Sequence, residues 1–526
     1  MMWAVKQFAV RPRIAALLAG AVSAVGFPPL GLWPVTLAAL TAFVWLVWTA
    51  PNLRQAFMRG WLFGAAHFTV TNNWIATAFT YQAEMPAALG WAAVPLLALY
   101  LAVYPGMAAL LAVWVTRDNR NMAGFAFAFA ASWILTEWLR SWVFTGYAWG
   151  PLSLILVGPH DRAGIAAHLP IFGTYAMSGI VILIAAAIAV ALIARKWLPL
   201  GLLLAVLSIG MYLPAGTRDE GRLAMTLVQP DIRQEVLDDP SNFEEQFARL
   251  ARLSAPRAQT ENRLVLWPES GVPDYLRPGY PMRYYLRMTA GGDPDFARLR
   301  IGRVIGDDSL LLTGAVDLEI GDKDGRPGAV GAYNSITPIS ADGTLGERYA
   351  KAHLVPYGEY LPMRFLLEPL GLTRLVAGSI DFIPGPGPQT KDFGAWGKAG
   401  MQICYEIVFS GDVVDPAKRP DYIFNPSNDG WFGAWGPPQH LGQARMRAIE
   451  EGLPVLRSTT TGISAVIDAD GVVRAKIGMR REGRIDMAVP PAHAPTLFAT
   501  LGHWLTLIWG VLFLGASLVA SRFRRV

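Results

Sequence analysis

The chain has 526 residues; 53% are hydrophobic and only 16% are charged, with a net charge of +5 and a mean hydropathy of +0.32. These values exclude a disordered chain, a coiled coil and a small disulfide scaffold, and they fit an ordinary cytosolic enzyme poorly. A lone cysteine, Cys404, excludes any intramolecular disulfide.

The charge is unevenly spread. Residues 1–213 carry 11 basic and 4 acidic side chains, whereas residues 214–496 carry 31 and 36. The last 30 residues are apolar again and end in Arg522, Arg524 and Arg525. Because the basic excess lies beside apolar runs, it points to membrane orientation rather than nucleic acid. A helix needs about 20 apolar residues to span a bilayer. Eight spans are expected, near 14–30, 31–49, 60–79, 88–115, 122–139, 170–194, 197–213 and 497–520. This divides the chain into a seven-helix membrane domain (1–215), a soluble domain (220–490) and a C-terminal span (497–520).

Residues 14–49 read as two spans or as a helical hairpin broken at Phe27-Pro28-Pro29. A signal peptide cleaved near Val22-Ser23-Ala24 competes, but a second apolar segment follows at once. Lys6, Arg11 and Arg13, then Arg54 and Arg59, Arg117 and Arg120, Arg195 and Lys196, and the tail arginines all fall on one side. The opposite loops hold only Arg140 and Arg162. The termini are therefore expected in the cytoplasm and residues 214–496 outside the membrane.

The loop at 140–169 holds Trp142, Phe144, Tyr147 and Trp149, followed by Pro151 and Leu152. It reads either as an interfacial aromatic belt or as a lipid-facing wall beside a site. Glu137 lies near a span end, where its side chain can reach water. No span carries the repeated ionisable residues of an ion pathway.

The soluble part alternates β-rich runs with helical stretches. Strands are expected at Leu223–Val228, Leu264–Trp267, Leu310–Ala315, Asn334–Ile339, Gly400–Ile403, Tyr422–Asn425, Val455–Thr459 and Ser464–Ile467. Helices are expected at 240–253 and 437–451, the second with Leu441, Ala444, Ala448 and Glu451 near one face. An α/β or layered α+β domain with its own core follows. The sequence has no HExxH, CxxC or calcium loop, and its seven histidines lack ligand spacing, so no metal is expected.

Four segments concentrate chemistry. Cys404, in Ile403-Cys404-Tyr405-Glu406, follows an apolar strand, where α/β folds place reacting groups; it reads equally as a buried structural thiol. Glu269, in Trp267-Pro268-Glu269-Ser270, also ends a strand, or is a helix N-terminal acid. Lys351 and Glu359 lie in a stretch rich in Tyr, His, Pro and Gly that is otherwise a solvated loop. Asn425–Gly433 places Asn428 among turn formers beside Trp431 and Phe432, or is an ordinary surface turn.

Together these segments resemble the nitrilase superfamily. With the eight-span frame, the resemblance is closest to its membrane-embedded branch, the apolipoprotein N-acyltransferases. It extends to Leu227-Val228-Gln229, Gln439-His440-Leu441, Arg445-Met446-Arg447-Ala448 and Arg457-Ser458-Thr459. The resemblance implies an α-helical membrane bundle carrying a four-layer α-β-β-α domain on the periplasmic side of a bacterial inner membrane. It implies catalytic Glu269, Lys351 and Cys404, an additional essential Glu359, and supporting Tyr405, Glu406, Trp149, Asn428 and Trp431. A family tryptophan is replaced near Asp238, which bears on substrate contacts.

The implied reaction is ping-pong acyl transfer. The Cys404 thiolate, formed with Glu269 as base, takes an acyl chain from a phospholipid as a thioester. Lys351 and the Tyr405 N–H hold the oxyanion. The N-terminal amine of a diacylglyceryl apolipoprotein then takes the acyl chain. No cofactor, no nucleic acid and a monomer are expected. Two other readings are a membrane-tethered amidase with a different acceptor and a non-enzymatic transporter or receptor.

Overall fold

A computed structural model describes residues 11–522 apart from 82–85, 119–120, 215, 217–218, 259, 324, 368 and 370–379. Lys6, Arg120, Arg524 and Arg525, used above for orientation, lie outside the described residues.

The N-terminal part is helical. Among the described residues, four helical stretches are long and apolar enough to cross a membrane: Leu89–Val115, Met122–Trp142, Ile165–Ile193 and His503–Arg522. Pro12–Gly26, Trp33–Trp48 and Trp197–Tyr212 are apolar but shorter. The helix Leu53–Thr71 covers much of the remaining expected segment. The break between the first two helices falls at Phe27-Pro28-Pro29, as a proline pair demands. A helix of 12–16 residues rises only about 18–24 Å, short of a bilayer core of about 30 Å. Large apolar side chains such as Trp91, Leu96, Leu198, Val206 and Val511 are exposed, a surface suited to lipid rather than water.

The second part is a pair of six-stranded sheets. Its strands in chain order are β1 (Ala224–Gln229), β2 (Arg263–Leu266), β3 (Ser309–Lys323), β4 (Arg326–Ser340), β5 (Tyr349–Ala350) and β6 (Gln389–Asp392). β7 (Lys398–Met401), β8 (Tyr422–Ser427), β9 (Val455–Thr459), β10 (Ser464–Ile467), β11 (Val473–Ile477) and β12 (Gly483–Ala488) follow. The strand orders are β12-β1-β2-β3-β4-β5 and β11-β10-β9-β8-β7-β6. β1, β2 and β3 run parallel, as do β7, β8 and β9.

Strand alternation builds the layers. Leu227, Leu264, Leu266, Leu310 and Leu312 face the other sheet and meet Met401, Phe424, Leu456 and Val466. Val228, Val265, Trp267 and Leu311 point the other way, onto the helices Phe243–Ser254 and Pro294–Ile305. The helix Gly436–Glu451 covers the second sheet through Leu441, Ala444 and Ala448, giving the α-β-β-α order. Burial on both faces explains why the central strands read as continuous apolar runs.

Glu137 departs from expectation. It does not reach for water: it is 6% exposed, accepts the Leu152 N–H at 2.9 Å and lies 3.8 Å from Arg140. Burial in the helix packing makes it a tie between helix Met122–Trp142 and the loop that follows.

Candidate active site

The parallel strands deliver Glu269, Cys404 and Asn428 at their carboxyl ends, where α/β sheets gather reacting groups, and the antiparallel edge strand β5 delivers Lys351. Glu269 lies just past β2, Cys404 just past β7, Asn428 at the end of β8, and Lys351 directly after β5. Gly314 in β3 allows the approach of Glu269, since a Cβ there would stand 2.6 Å from the Glu269 Cα.

Glu269, Lys351 and Glu359 form one buried cluster, 6%, 1% and 7% exposed. Lys351 Nζ donates to Glu359 Oε1 at 2.9 Å and lies 3.6 Å from Glu269 Oε1. Asn334 Nδ2 donates to both carboxylates, at 2.7 Å to Glu269 and 2.9 Å to Glu359. The Asn428 backbone N–H donates to Glu269 Oε2 at 2.7 Å, and the Val355 N–H to Glu359 Oε2 at 2.8 Å. Burial alone would lower the Lys351 ammonium, but Glu359 and Glu269 outweigh it and raise it above its ordinary range. Lys351 is therefore cationic throughout the physiological range.

The Cys404 thiol belongs to the same field. Burial and the Glu269 carboxylate push it well above the ordinary thiol range, while Lys351 pulls it back. At rest the group is a thiol, and reaction requires a base beside it. The Cys404 backbone has φ +50, a left-handed conformation that costs about 1–3 kcal/mol in a non-glycine residue.

Its neighbours hold that turn. Glu406 Oε2 accepts the Ile403 N–H at 2.6 Å. Its Oε1 accepts Tyr349 Oη–H, Ala352 N–H and His353 N–H at 2.7–3.1 Å, tying the cysteine turn to the lysine loop. Tyr405 packs edge-on against Phe409, 5.0 Å between ring centres.

Behind the cysteine lies a second network whose role composition alone does not announce. His440 Nε2 is 3.0 Å from the Cys404 carbonyl oxygen, and Nδ1 is 3.0 Å from Asp429 Oδ1. Arg457 Nη2 bonds both Asp429 oxygens, at 2.7 and 2.8 Å, and lies 2.9 Å from His440 Nδ1. Burial and Arg457 lower His440 below the ordinary imidazole range, so the ring is neutral. Only an N–H can satisfy a carbonyl, so the proton sits on Nε2 and Nδ1 accepts from Arg457. Burial would raise Asp429, but Arg457 holds it below the usual carboxylate range.

The aromatic loop divides. Trp142 and Phe144 are exposed, at 53% and 86%, whereas Trp149 is 1% exposed. Trp149 is therefore not part of a lipid-facing wall. It packs on Trp74, Phe432 and His440, and its Nε1–H donates to Gln439 Oε1 at 2.7 Å. Trp431 is half-buried against Tyr81, 5.6 Å between ring centres. Asn428 Nδ2 donates to Gln234 Oε1 at 2.8 Å. Asp238 lies directly after the short helix Gln234–Leu237.

Asn334 had no sequence signal beyond its place in a strand. His440 and Arg457 stood within quoted motifs without a role, because neither lies near Cys404 in the chain.

Glu269 and Cys404 are buried at the ends of parallel strands in paired sheets, with Lys351 after an antiparallel edge strand, and residues 225–494 match the carbon-nitrogen hydrolase family. Residues 19–187 match a second family, described as the apolipoprotein N-acyltransferase N-terminal domain. The chain belongs to the apolipoprotein N-acyltransferase family. It is 32% identical over 520 residues to the apolipoprotein N-acyltransferase of Rhodopseudomonas palustris, covering 93% of this chain and 91% of that one. Against the Allorhizobium ampelinum apolipoprotein N-acyltransferase it is 31% identical, covering 97% and 96%. Among solved structures it is similar to Saccharomyces cerevisiae Nit3, a nitrilase superfamily member, at 19% identity and a TM-score of 0.35, over 53% of this chain and 93% of that one.

Proposed function

We propose that this protein transfers an acyl chain from a membrane phospholipid to the N-terminal amine of S-diacylglyceryl apolipoproteins, through a thioester on Cys404. The carrying observation is a lone cysteine in a strained turn within the field of Glu269 and Lys351, on a sheet domain that a polar helix ties to apolar helices. Glu269 takes the thiol proton, and the thiolate attacks the ester carbonyl. Lys351 and the Tyr405 N–H stabilise the oxyanion, and Glu359 and Asn334 hold Lys351 and Glu269 in place. Glu269 returns the proton to the leaving lysophospholipid. The acceptor amine then attacks the thioester, Glu269 accepts its proton, and an amide forms.

In this reading the chain makes eight crossings of a bacterial inner membrane with both termini in the cytoplasm. The sheet domain faces the periplasm, and the protein works as a monomer. The asymmetry of basic loops supports that orientation.

Phospholipid alone should release one equivalent of lysophospholipid in a burst and then stall, because a covered site keeps water from the thioester. A diacylglyceryl peptide should restart turnover, with parallel double-reciprocal lines. Continuous release without acceptor would make the protein a hydrolase. An impermeant thiol reagent should label cysteines introduced at exposed positions of the sheet domain from the periplasmic side only.

A further inference from the structure

A polar cleft of about 180 Å³ opens at Asp429 and Gly430, between the sheet domain and the short helical turns that follow helix Leu53–Thr71. Its floor is Gln234, Asp429 and Gly430, its membrane-side wall includes Thr77 and Tyr81, and Arg233 and Arg480 stand at its sides. We propose that this cleft is a subsite for the phosphate of a phospholipid headgroup, with Arg233 and Arg480 as its anion-binding side chains. The inference rests on the reading of Cys404 as acceptor of a phospholipid acyl chain.

Three observations carry it. The first is charge. Many arginines of the sheet domain are committed to carboxylates, among them Arg249, Arg252, Arg277, Arg298 and Arg484. Among the described residues, Arg233 and Arg480 have no side-chain hydrogen bond and no carboxylate within 4 Å. One unpaired surface arginine is ordinary, but two lining one cleft leave ten N–H donors for a multidentate anion such as a phosphate. The negative group on the floor does not oppose this, because Asp429 is already neutralised by Arg457. The fourth charged residue of the cleft, Glu235, would meet the cationic end of a zwitterionic headgroup.

The second is distance along bonds. Gln234 and Gly430 both bond Asn428, whose backbone N–H reaches Glu269. The cleft is thus one residue removed from the reacting groups. In a phospholipid only the three glycerol carbons separate the sn-1 ester from the phosphate, so an ester at Cys404 brings its phosphate close by. The third is position. The cleft is shared by both parts of the molecule, where a lipid headgroup arrives with its chains still among the apolar helices.

The test uses the full-length protein in lipid nanodiscs. The rate of Cys404 acylation is measured with a phosphoethanolamine lipid and with the matching 1,2-diacylglycerol, which has the same ester and no phosphate. The wild type should prefer the phospholipid, and Arg233→Gln with Arg480→Gln should reduce that preference by roughly ten- to a hundredfold. A preference unchanged in the double variant, or absent in the wild type, overturns the proposal. Inorganic phosphate that slows the wild type but not the double variant, with the lipid preference unchanged, would make the cleft a free-phosphate site and also overturn it. Failure of the underlying reading looks different: no adduct forms on wild-type Cys404 with either lipid.

Discussion

Two sixteen-residue helices reverse the usual rule of burial. Trp197–Tyr212 is almost entirely apolar, yet only Leu207 and Met211 are buried. Gly436–Glu451 carries Gln439, His440, Gln443, Arg445, Arg447, Glu450 and Glu451, yet all of it except Pro438 is buried. The first presents a surface suited to lipid, where apolar area costs nothing. The second is wedged between the sheets and the membrane helices, so each polar group needs a partner. Arg445 donates to the carbonyls of Gly471, Gly158, Pro159 and Arg162 at 2.7–2.9 Å. Glu450 accepts the Thr174 N–H and hydroxyl, both at 2.6 Å, beside the kink at Gly173. Gln439 receives Trp149 and donates to the Thr71 carbonyl at 3.1 Å. From the same helix, His440 reaches the Cys404 carbonyl. The polar helix thus fixes the reacting turn to the membrane part, and hydropathy alone would have exposed it.

The comparison yields four expectations, the largest first. Glu269→Gln keeps the shape of the polar interior but cannot take a proton, so acyl transfer should fall about 10²–10⁴-fold. The same change removes a negative charge that raises the Cys404 thiol, so alkylation by a small reagent should begin at lower pH than in the wild type. Unchanged alkylation with lost activity would detach Glu269 from the thiol. Glu450→Ala strands the buried Arg447, 3.0 Å away in the wild type, and should cost about 3–5 kcal/mol in unfolding measurements. A loss below 1 kcal/mol would mean that the polar helix is not held as described.

His440→Ala removes the donor to the cysteine turn. Single-turnover acylation should slow roughly tenfold, as the loss of about 1–2 kcal/mol of positioning implies, with little change in donor affinity. His440→Gln, which keeps an N–H, should recover part of the rate. If both variants match the wild type, the turn needs no such anchor. Leu202→Ala on the lipid-facing helix should change stability by less than about 0.5 kcal/mol. A larger loss would place that face against protein.

Much of this was legible in the chain. The apolar runs, the parallel strand cores and the proline break at residues 27–29 follow from periodicity and steric rules. β11 and β12 escaped notice because Val-Arg-Ala-Lys-Ile and Gly-Arg-Ile-Asp-Met-Ala are charged edge strands of low hydropathy. β3 and β4 run past their expected ends at Ala315 and Asn334, because a hairpin tip projecting from the core needs little apolar content. The candidate residues Glu269 and Cys404 stood out because each directly follows an apolar strand. Asn334 and the Asp429–Arg457–His440 network did not, since their meaning comes from contacts between distant segments. Trp149 was misplaced for a related reason: an aromatic beside a membrane span looks interfacial until the helix that covers it is known.

The central claim is that Cys404 carries the acyl chain. Intact-protein and peptide mass spectrometry after incubation with one defined phospholipid tests it most directly. The account predicts a single acyl mass on Cys404, released by hydroxylamine or by a diacylglyceryl peptide, and no such mass in Cys404→Ala. An unmodified Cys404 in protein that still acylates peptide would contradict it.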